Sequence, residues 1–185
     1  NSEAYNSGFV ELQDASSQAS ILQLSTDQNG PILDYCAGGG GKALALSAYL
    51  NKPIFAHDSN LLRMKDLPKR ASRSGADIRI IKSHNLRNSY YGLVFCDAPC
   101  SGSGTWRRDP EGKWSITLRD YQKLLSLQEN ILRTAAQLVQ AGGRLVYATC
   151  SVLKDENKTQ IQKFLANSNG WVLEREKLFM PNELG

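Results

Sequence analysis

The sequence predicts a doubly wound α/β fold built around a mostly parallel sheet. Short apolar runs alternate with longer segments of helical periodicity from residue 31 onward. A glycine-rich turn separates the first run from the first helical segment, and polar or reactive side chains follow the ends of the runs. Alternating strands and helices give parallel strands under covering helices, and ligands bind beyond the carboxyl ends of such strands.

The elements follow in order along the chain. Apolar runs predict strands at residues 31–36, 53–58, 77–83, 91–98 and 143–151, and a sixth strand that begins at Trp171. Helical spacing predicts helices at residues 42–50, 59–75, 117–139 and 154–170, the second interrupted by Pro68. A long loop rich in Gly, Trp and Arg is predicted to run from the fourth strand to about residue 116.

Length and composition indicate one globular domain. The chain has 185 residues, too few for two comfortable domains. Its four cysteines, scattered and without a signal segment, are expected to be free thiols in the cytoplasm. No apolar run approaches the ~20 residues of a membrane span, so no membrane association is expected. The chain does not begin with Met, and we expect it to be a piece of a longer protein.

Charge is distributed unevenly. The net charge is +4, yet residues 1–30 contain four acidic residues and neither Lys nor Arg. Residues 61–90 contain eight basic residues against two acidic ones, and a second basic group follows the fourth strand. Such clusters suit a polyanion such as nucleic acid, although charge alone favours a solvated surface.

The glycine run predicts a site for a nucleoside-containing cofactor. Gly38-x-Gly40-x-x-Ala43 fits the dinucleotide-binding pattern, and Asp58 ends the second strand twenty residues after Gly38, where it suits ribose hydroxyls. A phosphate-binding P-loop is excluded because Cys36 replaces its first glycine and Ala43 replaces the hydroxyl residue that binds magnesium. The pattern does not identify the cofactor. His57, beside Asp58, is interpreted as a neighbour on the strand and not as a metal ligand.

The four cysteines divide into two pairs. Cys36 and Cys96 lie within apolar runs and are predicted to be small core residues, and the cysteine and histidine spacing does not fit zinc. Cys100 and Cys150 each follow a strand end, which favours a chemical role in the cofactor crevice. A thiolate can add to carbon 6 of a pyrimidine and activate carbon 5 toward a methyl donor. Asp97 could accept a hydrogen bond from a cytosine amino group.

The loop after Cys100 offers an aromatic and basic surface. Trp106, Arg107 and Arg108 follow it, and Trp114 lies a few residues later. A base extruded from its stack could lie on such a surface. Packing in the interior is the alternative role for both tryptophans.

Three motifs resemble the RNA 5-methylcytosine methyltransferase family, the Sun/Nop group. They are DYCAGGGGKALALSA, DAPCSGSGTWRRDPEGKW, and GGRLVYATCS with DEN after it. The likeness runs from Gly8 to the end of the chain and is strongest to bacterial enzymes that methylate small-subunit ribosomal RNA. It implies a Rossmann-like S-adenosylmethionine-dependent methyltransferase fold. It also implies one catalytic domain over residues 1–185, without the family's N-terminal RNA-binding domain and last C-terminal strand.

The resemblance also implies site residues. It places the S-adenosylmethionine loop at Cys36, Ala37, Gly38, Gly39, Gly40, Gly41 and Lys42. It implies that Asp58 holds the ribose, that Asn85 lies near the adenine, and that Asp97 lies by the methyl donor and the target base. Cys150 is implied to be the nucleophile and Cys100 to assist product release. No metal site is implied.

Two positions depart from the family pattern, and two other functions compete. The usual Ala-Pro-Gly-Gly loop reads Ala-Gly-Gly-Gly at residues 37–40, and Asn85 stands where an acidic residue is common. A nicotinamide-dependent oxidoreductase would share the loop and Asp58 but would give the two strand-end cysteines no purpose. A non-catalytic RNA-binding module is the other alternative. Ribosomal RNA is the expected partner and transfer RNA the second candidate, while the oligomeric state is not predicted.

Overall fold

A computed structural model describes residues 2–180 and contains a five-stranded sheet. The strands are β1 (Ile32–Asp34), β2 (Ile54–Ala56), β3 (Ile78–Ile80), β4 (Tyr91–Asp97) and β5 (Val139–Ala148), in the order β3-β2-β1-β4-β5. β1 pairs in parallel with both β2 and β4, and β2 pairs in parallel with β3. This order confirms the predicted doubly wound, mostly parallel sheet, because the strand order reverses between β1 and β4.

The described part of the chain contains seven α-helices. They are α1 (Glu3–Asn6), α2 (Ala15–Leu22), α3 (Gly41–Leu50), α4 (Leu67–Ser74), α5 (Pro110–Ser115), α6 (Leu118–Leu138) and α7 (Lys158–Ala166). Short 3-10 turns occupy Leu61–Met64, Ser83–Asn85, Ser103–Thr105 and Lys154–Glu156. Across residues 2–180, none of these helices combines the length and apolarity that crossing a bilayer requires.

The chain divides into two compact units. One unit contains the residues up to Asp97 together with Ala135–Val146, and the other contains Ala98–Thr134 and the residues from Tyr147 onward. The first unit includes β1 to β4, most of β5 and the glycine loop. The second includes both strand-end cysteines and α7. That residues 1–185 form one catalytic domain remains a prediction.

The core of the first unit explains where the glycine loop lies. β1 is buried along its whole length, and β4 is buried except at Asp97, as expected for strands covered on both faces. Helix α3 buries Ala43, Leu44 and Leu46, which is the apolar face that the helical spacing predicts. The turn that joins β1 to α3 is therefore held between two buried elements.

Several boundaries differ from the sequence prediction. The predicted helix at residues 59–75 is a 3-10 turn followed by α4, and Pro68 lies in the first turn of α4, where its missing N–H costs nothing. The predicted long loop contains helix α5. β5 begins directly after α6, so Gly142 and Gly143 lie inside the strand instead of ending the helix.

The predicted sixth strand is wrong for the part of it that the structure describes. Residues 171–180 contain no strand, and the side chains of Val172 and Leu173 are 82% and 53% exposed. An apolar segment forms a strand only beside a hydrogen-bonding neighbour and over a buried face. Trp171 instead packs edge-on against Phe164 of α7, with ring centroids 5.6 Å apart.

Candidate functional site

The glycine loop between β1 and α3 is shaped by two left-handed residues. Gly38 has a φ of 52° and Gly40, at the N-cap of α3, has a φ of 83°. A Cβ atom on Gly40 would overlap the side chain of Leu67. The Gly40 N–H donates to the Ala37 carbonyl at 2.8 Å. Only glycine satisfies both the backbone angle and the close packing at position 40, and the turn delivers the N-terminus of α3, which favours an anionic group.

Asp58 is buried and lies against this loop. Its Oδ2 accepts a hydrogen bond from the Gly38 N–H at 2.9 Å and lies 3.3 Å from Nη1 of Arg63. Its Oδ1 accepts from the Asn60 N–H at 2.9 Å. The carboxylate predicted to hold a ribose thus also fixes the first left-handed glycine. Oδ1 has a second lone pair for a further donor, and the ribose contact remains a prediction.

His57 has a larger structural role than the sequence analysis assigned to it. Its Nδ1–H donates to the Tyr35 carbonyl at 2.7 Å, because a carbonyl oxygen can only accept, and its Nε2 lies 2.9 Å from the Ser83 hydroxyl oxygen, within hydrogen-bond distance. The ring also stacks on Tyr35, with centroids 4.7 Å apart. His57 therefore ties the start of the glycine loop to the 3-10 turn Ser83–Asn85.

Asn85 ends that turn and is exposed. It borders a cavity of about 490 Å³, and no described contact joins its side chain to the glycine loop. Its contact with adenine stays a prediction. The cavity is lined by Phe55, Arg79, Ile80, Ile81, His84, Asn85, Leu86, Arg87, Tyr90 and Tyr91.

Asp34 is a site residue that the sequence analysis missed. It ends β1 directly before the loop and is completely buried, and neither carboxylate oxygen has a partner with hydrogen-bond geometry among residues 2–180. Burial, with a smaller contribution from the Asp97 charge, raises its pKa to about 7, against the opposing effect of Lys42. The segment LDYC contains one indication of this position, because an acidic residue ends a strand that is otherwise apolar.

Lys42 and Asp97 form an ion pair in the same unit. Lys42 Nζ lies 2.6 Å from Asp97 Oδ2 and donates to the Ser17 hydroxyl at 3.3 Å. The pair is partly shielded, with side-chain exposures of 14% and 34%. The structure therefore brings together the end of β4 and the first turn of α3, which the sequence had predicted as parts of one cofactor site.

The two strand-end cysteines lie side by side in the second unit. The Sγ atoms of Cys100 and Cys150 are 3.3 Å apart, and Cys150 is the more exposed of the two. The hydrogen bond to Cys150, followed by burial, raises the pKa of the Cys100 thiol far above its ordinary value.

The SGSG segment after Cys100 packs against the backbone of Cys150. The Gly104 N–H donates to the Cys150 carbonyl at 2.9 Å, and a Cβ atom on Gly104 would lie 2.8 Å from the same oxygen. The hydroxyls of Ser103 and Ser151 are 2.8 Å apart, and the Val152 N–H donates to Ser103 Oγ at 3.0 Å. The glycine at position 104 is thus required by a close approach between two segments almost fifty residues apart.

The remaining cysteines and tryptophans named in the sequence analysis differ in their burial. Cys96 is fully buried in β4, as predicted, while Cys36 is half-buried and burial raises the pKa of its thiol. Among residues 2–180, no group of His, Cys, Asp and Glu side chains has the arrangement of a metal site. Trp114 is 80% exposed on α5, with Lys113 Nζ 5.0 Å from its ring centroid, whereas Trp106 is half-buried.

Comparison with known proteins identifies the family. The family model described as 16S rRNA methyltransferase RsmB/F matches residues 19–185. The chain is 34% identical over 168 residues to ribosomal RNA small subunit methyltransferase B of Klebsiella pneumoniae, which covers 87% of this chain and 39% of that protein. The chain therefore belongs to the RsmB/F methyltransferase family.

Two solved structures share the fold. The protein PH0851 superposes with a TM-score of 0.84 at 31% identity, covering 90% of this chain and 40% of its own. NSun6 from Pyrococcus horikoshii, solved with SFG, superposes with a TM-score of 0.79 at 22% identity, covering 97% of this chain and 47% of its own. These matches confirm the predicted Rossmann-like methyltransferase fold.

Family membership confirms the family predicted from the three motifs and supports the predicted cofactor, S-adenosylmethionine. It gives no support to the nicotinamide-dependent alternative. The chain spans about two fifths of the length of the curated relatives it matches.

Proposed function

We propose that the full-length protein containing this chain is an S-adenosylmethionine-dependent RNA cytosine-C5 methyltransferase, with ribosomal RNA as its substrate. The observation that carries the proposal is the pair of thiols, Cys100 and Cys150, 3.3 Å apart. Two thiols at this distance suit a reaction in which one sulfur bonds to the substrate and the other assists its release. The ribosomal substrate rests on the family, and transfer RNA is the alternative substrate.

The residues around the glycine loop fit S-adenosylmethionine. This cofactor carries a carboxylate, an ammonium group, a sulfonium and ribose hydroxyls. The N-terminus of α3 and its Lys42 suit the carboxylate, and the buried, unpartnered Asp34 suits a cationic group. Asp58 retains a lone pair for a ribose hydroxyl. We assign the loop residues 36–42, Asp58 and Asp97 to cofactor binding on this basis, and Asn85 by resemblance.

The attacking group is Cys150. The resemblance assigns the attack to Cys150, the more exposed of the two thiols, which gives its proton to solvent before it attacks. The Cys150 thiolate adds to carbon 6 of the cytosine, and the electron pair of the carbon 5–carbon 6 double bond moves to carbon 5. Asp97 accepts a hydrogen bond from the amino group of the base and holds it in place.

The cofactor, when bound, supplies the methyl group that becomes bonded to carbon 5. Cys150 is then a thioether without charge, which removes the main cause of the raised pKa of Cys100. Cys100 can then lose its proton to solvent and accept the proton from carbon 5. The electrons of that C–H bond restore the double bond, and the bond between Cys150 and carbon 6 breaks.

The exposed indole of Trp114 and the neighbouring basic residues support RNA as the partner. Lys113 lies over the Trp114 ring, and Arg107 and Arg108 are exposed nearby in sequence. Exposed aromatic rings among basic side chains provide stacking surfaces for unpaired bases.

A covalent-trapping series on the full-length protein tests the mechanism. We expect Cys100→Ala to accumulate a thiol-linked protein–RNA adduct, detected as a slowly migrating band on a denaturing gel. We expect Cys150→Ala to form no adduct and to transfer no methyl group. Cys96→Ala, which changes a thiol inside β4, is the matched control and should methylate RNA normally if it folds.

Other outcomes would revise or refute the mechanism. Adduct with Cys150→Ala and none with Cys100→Ala would exchange the two roles. Retained methylation without adduct in both variants would exclude a covalent route. Tight binding of NAD with no response to S-adenosylmethionine, measured by calorimetry, would contradict the cofactor assignment.

A further inference from the structure

We propose that Glu156 and Asn157 are positioning residues that set the distance between the two thiols, Glu156 through Cys100 and Asn157 through Cys150. The two residues are neighbours in sequence, and each makes hydrogen bonds to the segment that carries one cysteine. The inference rests on the proposed function, because it assigns these residues a part in the attack and release steps.

Glu156 holds the residue that follows Cys100. Its carboxylate is completely buried at the end of the 3-10 turn Lys154–Glu156. Oε1 accepts from the Ser101 N–H at 2.8 Å, and Oε2 accepts from the Ser101 hydroxyl at 2.5 Å. Hydrogen bonds to a buried carboxylate are among the strong ones, so both the backbone and the side chain of Ser101 are fixed.

Gln128 of α6 extends this restraint to the residue before Cys100. Its Nε2 donates to Glu156 Oε1 at 3.0 Å and to the Pro99 carbonyl at 2.9 Å. Gln160 of α7 in turn donates to the Leu125 carbonyl at 2.8 Å. All three polar side chains are buried. Cys100 is thus held on both sides by one buried network centred on Glu156.

Asn157 holds the residues on both sides of Cys150. Its Oδ1 accepts from the Thr149 hydroxyl at 2.7 Å, and its Nδ2 donates to the Ser151 carbonyl at 2.9 Å. The same Nδ2 donates to the Leu153 carbonyl at 2.8 Å. One amide side chain therefore closes the turn at whose centre Cys150 lies.

The peptide bond between Glu156 and Asn157 joins the two sets of hydrogen bonds. Because Glu156 and Asn157 are consecutive, the backbone between them connects the Cys100 segment to the Cys150 segment. A network that only stabilised the 3-10 turn would not need contacts to both cysteine segments. A positioning network predicts that each residue, when changed, affects a different thiol.

The first experiment measures thiol geometry without the reaction. Phenylarsine oxide, a trivalent arsenical, bridges two adjacent thiols, and its affinity for the full-length protein reports their separation. We expect Glu156→Gln and Asn157→Ala to weaken its binding about tenfold or more, since each removes hydrogen bonds to or from a buried group. Asp155→Asn, an exposed carboxylate beside them in sequence, is the matched control and should bind the reagent as the wild type does.

Thermal melting of each variant separates geometry from folding. If Glu156→Gln does not fold, Ser101→Ala replaces it, because that change removes the hydroxyl donor and leaves the buried carboxylate in place. Folded Glu156→Gln (or Ser101→Ala in its place) and Asn157→Ala proteins that bind the arsenical with wild-type affinity would overturn the proposal.

The second experiment separates the two roles by covalent trapping. We expect Glu156→Gln to behave like Cys100→Ala, with at least a severalfold increase in adduct, since release depends on Cys100. We expect Asn157→Ala to behave like Cys150→Ala, with loss of adduct and of methyl transfer. If both folded variants form the adduct at wild-type levels while the cysteine variants behave as expected, the positioning roles are refuted and the covalent mechanism stands.

The two experiments also distinguish failure of the inference from failure of the proposed function. If Cys100→Ala accumulates no adduct, while the arsenical still responds to Glu156 and Asn157 as expected, the covalent mechanism is wrong and the geometric restraint stands.

Discussion

The glycine loop and the thiol pair are held by different kinds of interaction. In the loop, left-handed glycines and one buried carboxylate shape the backbone between two consecutive elements, β1 and α3. Around the thiols, hydroxyl, amide and carboxylate side chains join residues that lie between 8 and 55 positions apart in the sequence. The shape of the loop therefore depends on backbone conformation, whereas the distance between the two thiols depends on hydrogen bonds among side chains from several segments.

The largest effect should come from the backbone of the loop. We expect Gly40→Ala to lower the free energy of unfolding by about 3 kcal/mol, because it combines a left-handed conformation with overlap against Leu67. The measurement is urea denaturation followed by circular dichroism. Gly39→Ala is the matched control, since its Cβ would lie 3.5 Å from the Arg70 guanidinium at an ordinary φ. Equal losses in both variants would contradict the distinct role of position 40.

A change in the thiol region should act on geometry more than on stability. We expect Gly104→Ala to cost about 2 kcal/mol, because its Cβ would lie 2.8 Å from the Cys150 carbonyl and displace that segment. Binding of phenylarsine oxide should weaken in parallel. Gly112→Ala in α5 is the control, since its Cβ would meet the end of the flexible Asp109 side chain and, at an ordinary contact distance of 3.6 Å, Cδ1 of Trp106. Unchanged arsenical binding in Gly104→Ala would show that the SGSG contact does not hold Cys150.

The smallest expected effect is a pH dependence of the free energy of unfolding, which comes from Asp34 beside the glycine loop. The pKa of Asp34 is raised from 3.8 to about 7, so the folded state binds its proton more tightly than the unfolded state. Its contribution to stability is full below pH 3.8 and is lost as the pH rises through about 7. Between pH 6 and pH 8, we expect the free energy of unfolding of the wild type to fall by about 1 kcal/mol relative to that of Asp34→Asn.

Urea denaturation of both proteins at several pH values measures this difference. A difference that does not change with pH would mean that Asp34 is ionised throughout this range. Addition of S-adenosylmethionine should reduce the pH dependence if a cationic group of the cofactor lies against the Asp34 carboxylate.

Most of the fold was predictable because strand centres are apolar and helices are periodic. Predicted and observed strands coincide at β1 to β4, yet each observed strand is shorter than its apolar run, since pairing also requires a neighbour. The same requirement explains the failure after Trp171. The helix at residues 59–75 was divided because Pro68 starts α4 instead of interrupting a longer helix.

The candidate site was predictable where spacing carries the chemistry. The interval from Gly38 to Asp58 predicted that both belong to one cofactor site, and the structure joins the two residues by a hydrogen bond of 2.9 Å. Asp34 was missed because a lone carboxylate becomes informative only when its burial and lack of partners are known. Glu156 was quoted within a motif but given no role, because its partner Ser101 lies 55 residues away.

The alternation of strands and helices, the glycine turn and the two cysteines at strand ends could all be predicted from the sequence. These features are local, since each depends on side-chain periodicity or on glycine conformation within a few residues. Folding alone brings the two sulfur atoms within 3.3 Å of each other, raises the pKa of Cys100, and joins Glu156 and Asn157 by hydrogen bonds to the two cysteine segments. Those properties depend on burial and on contacts between distant segments, and they exist only when the chain is folded.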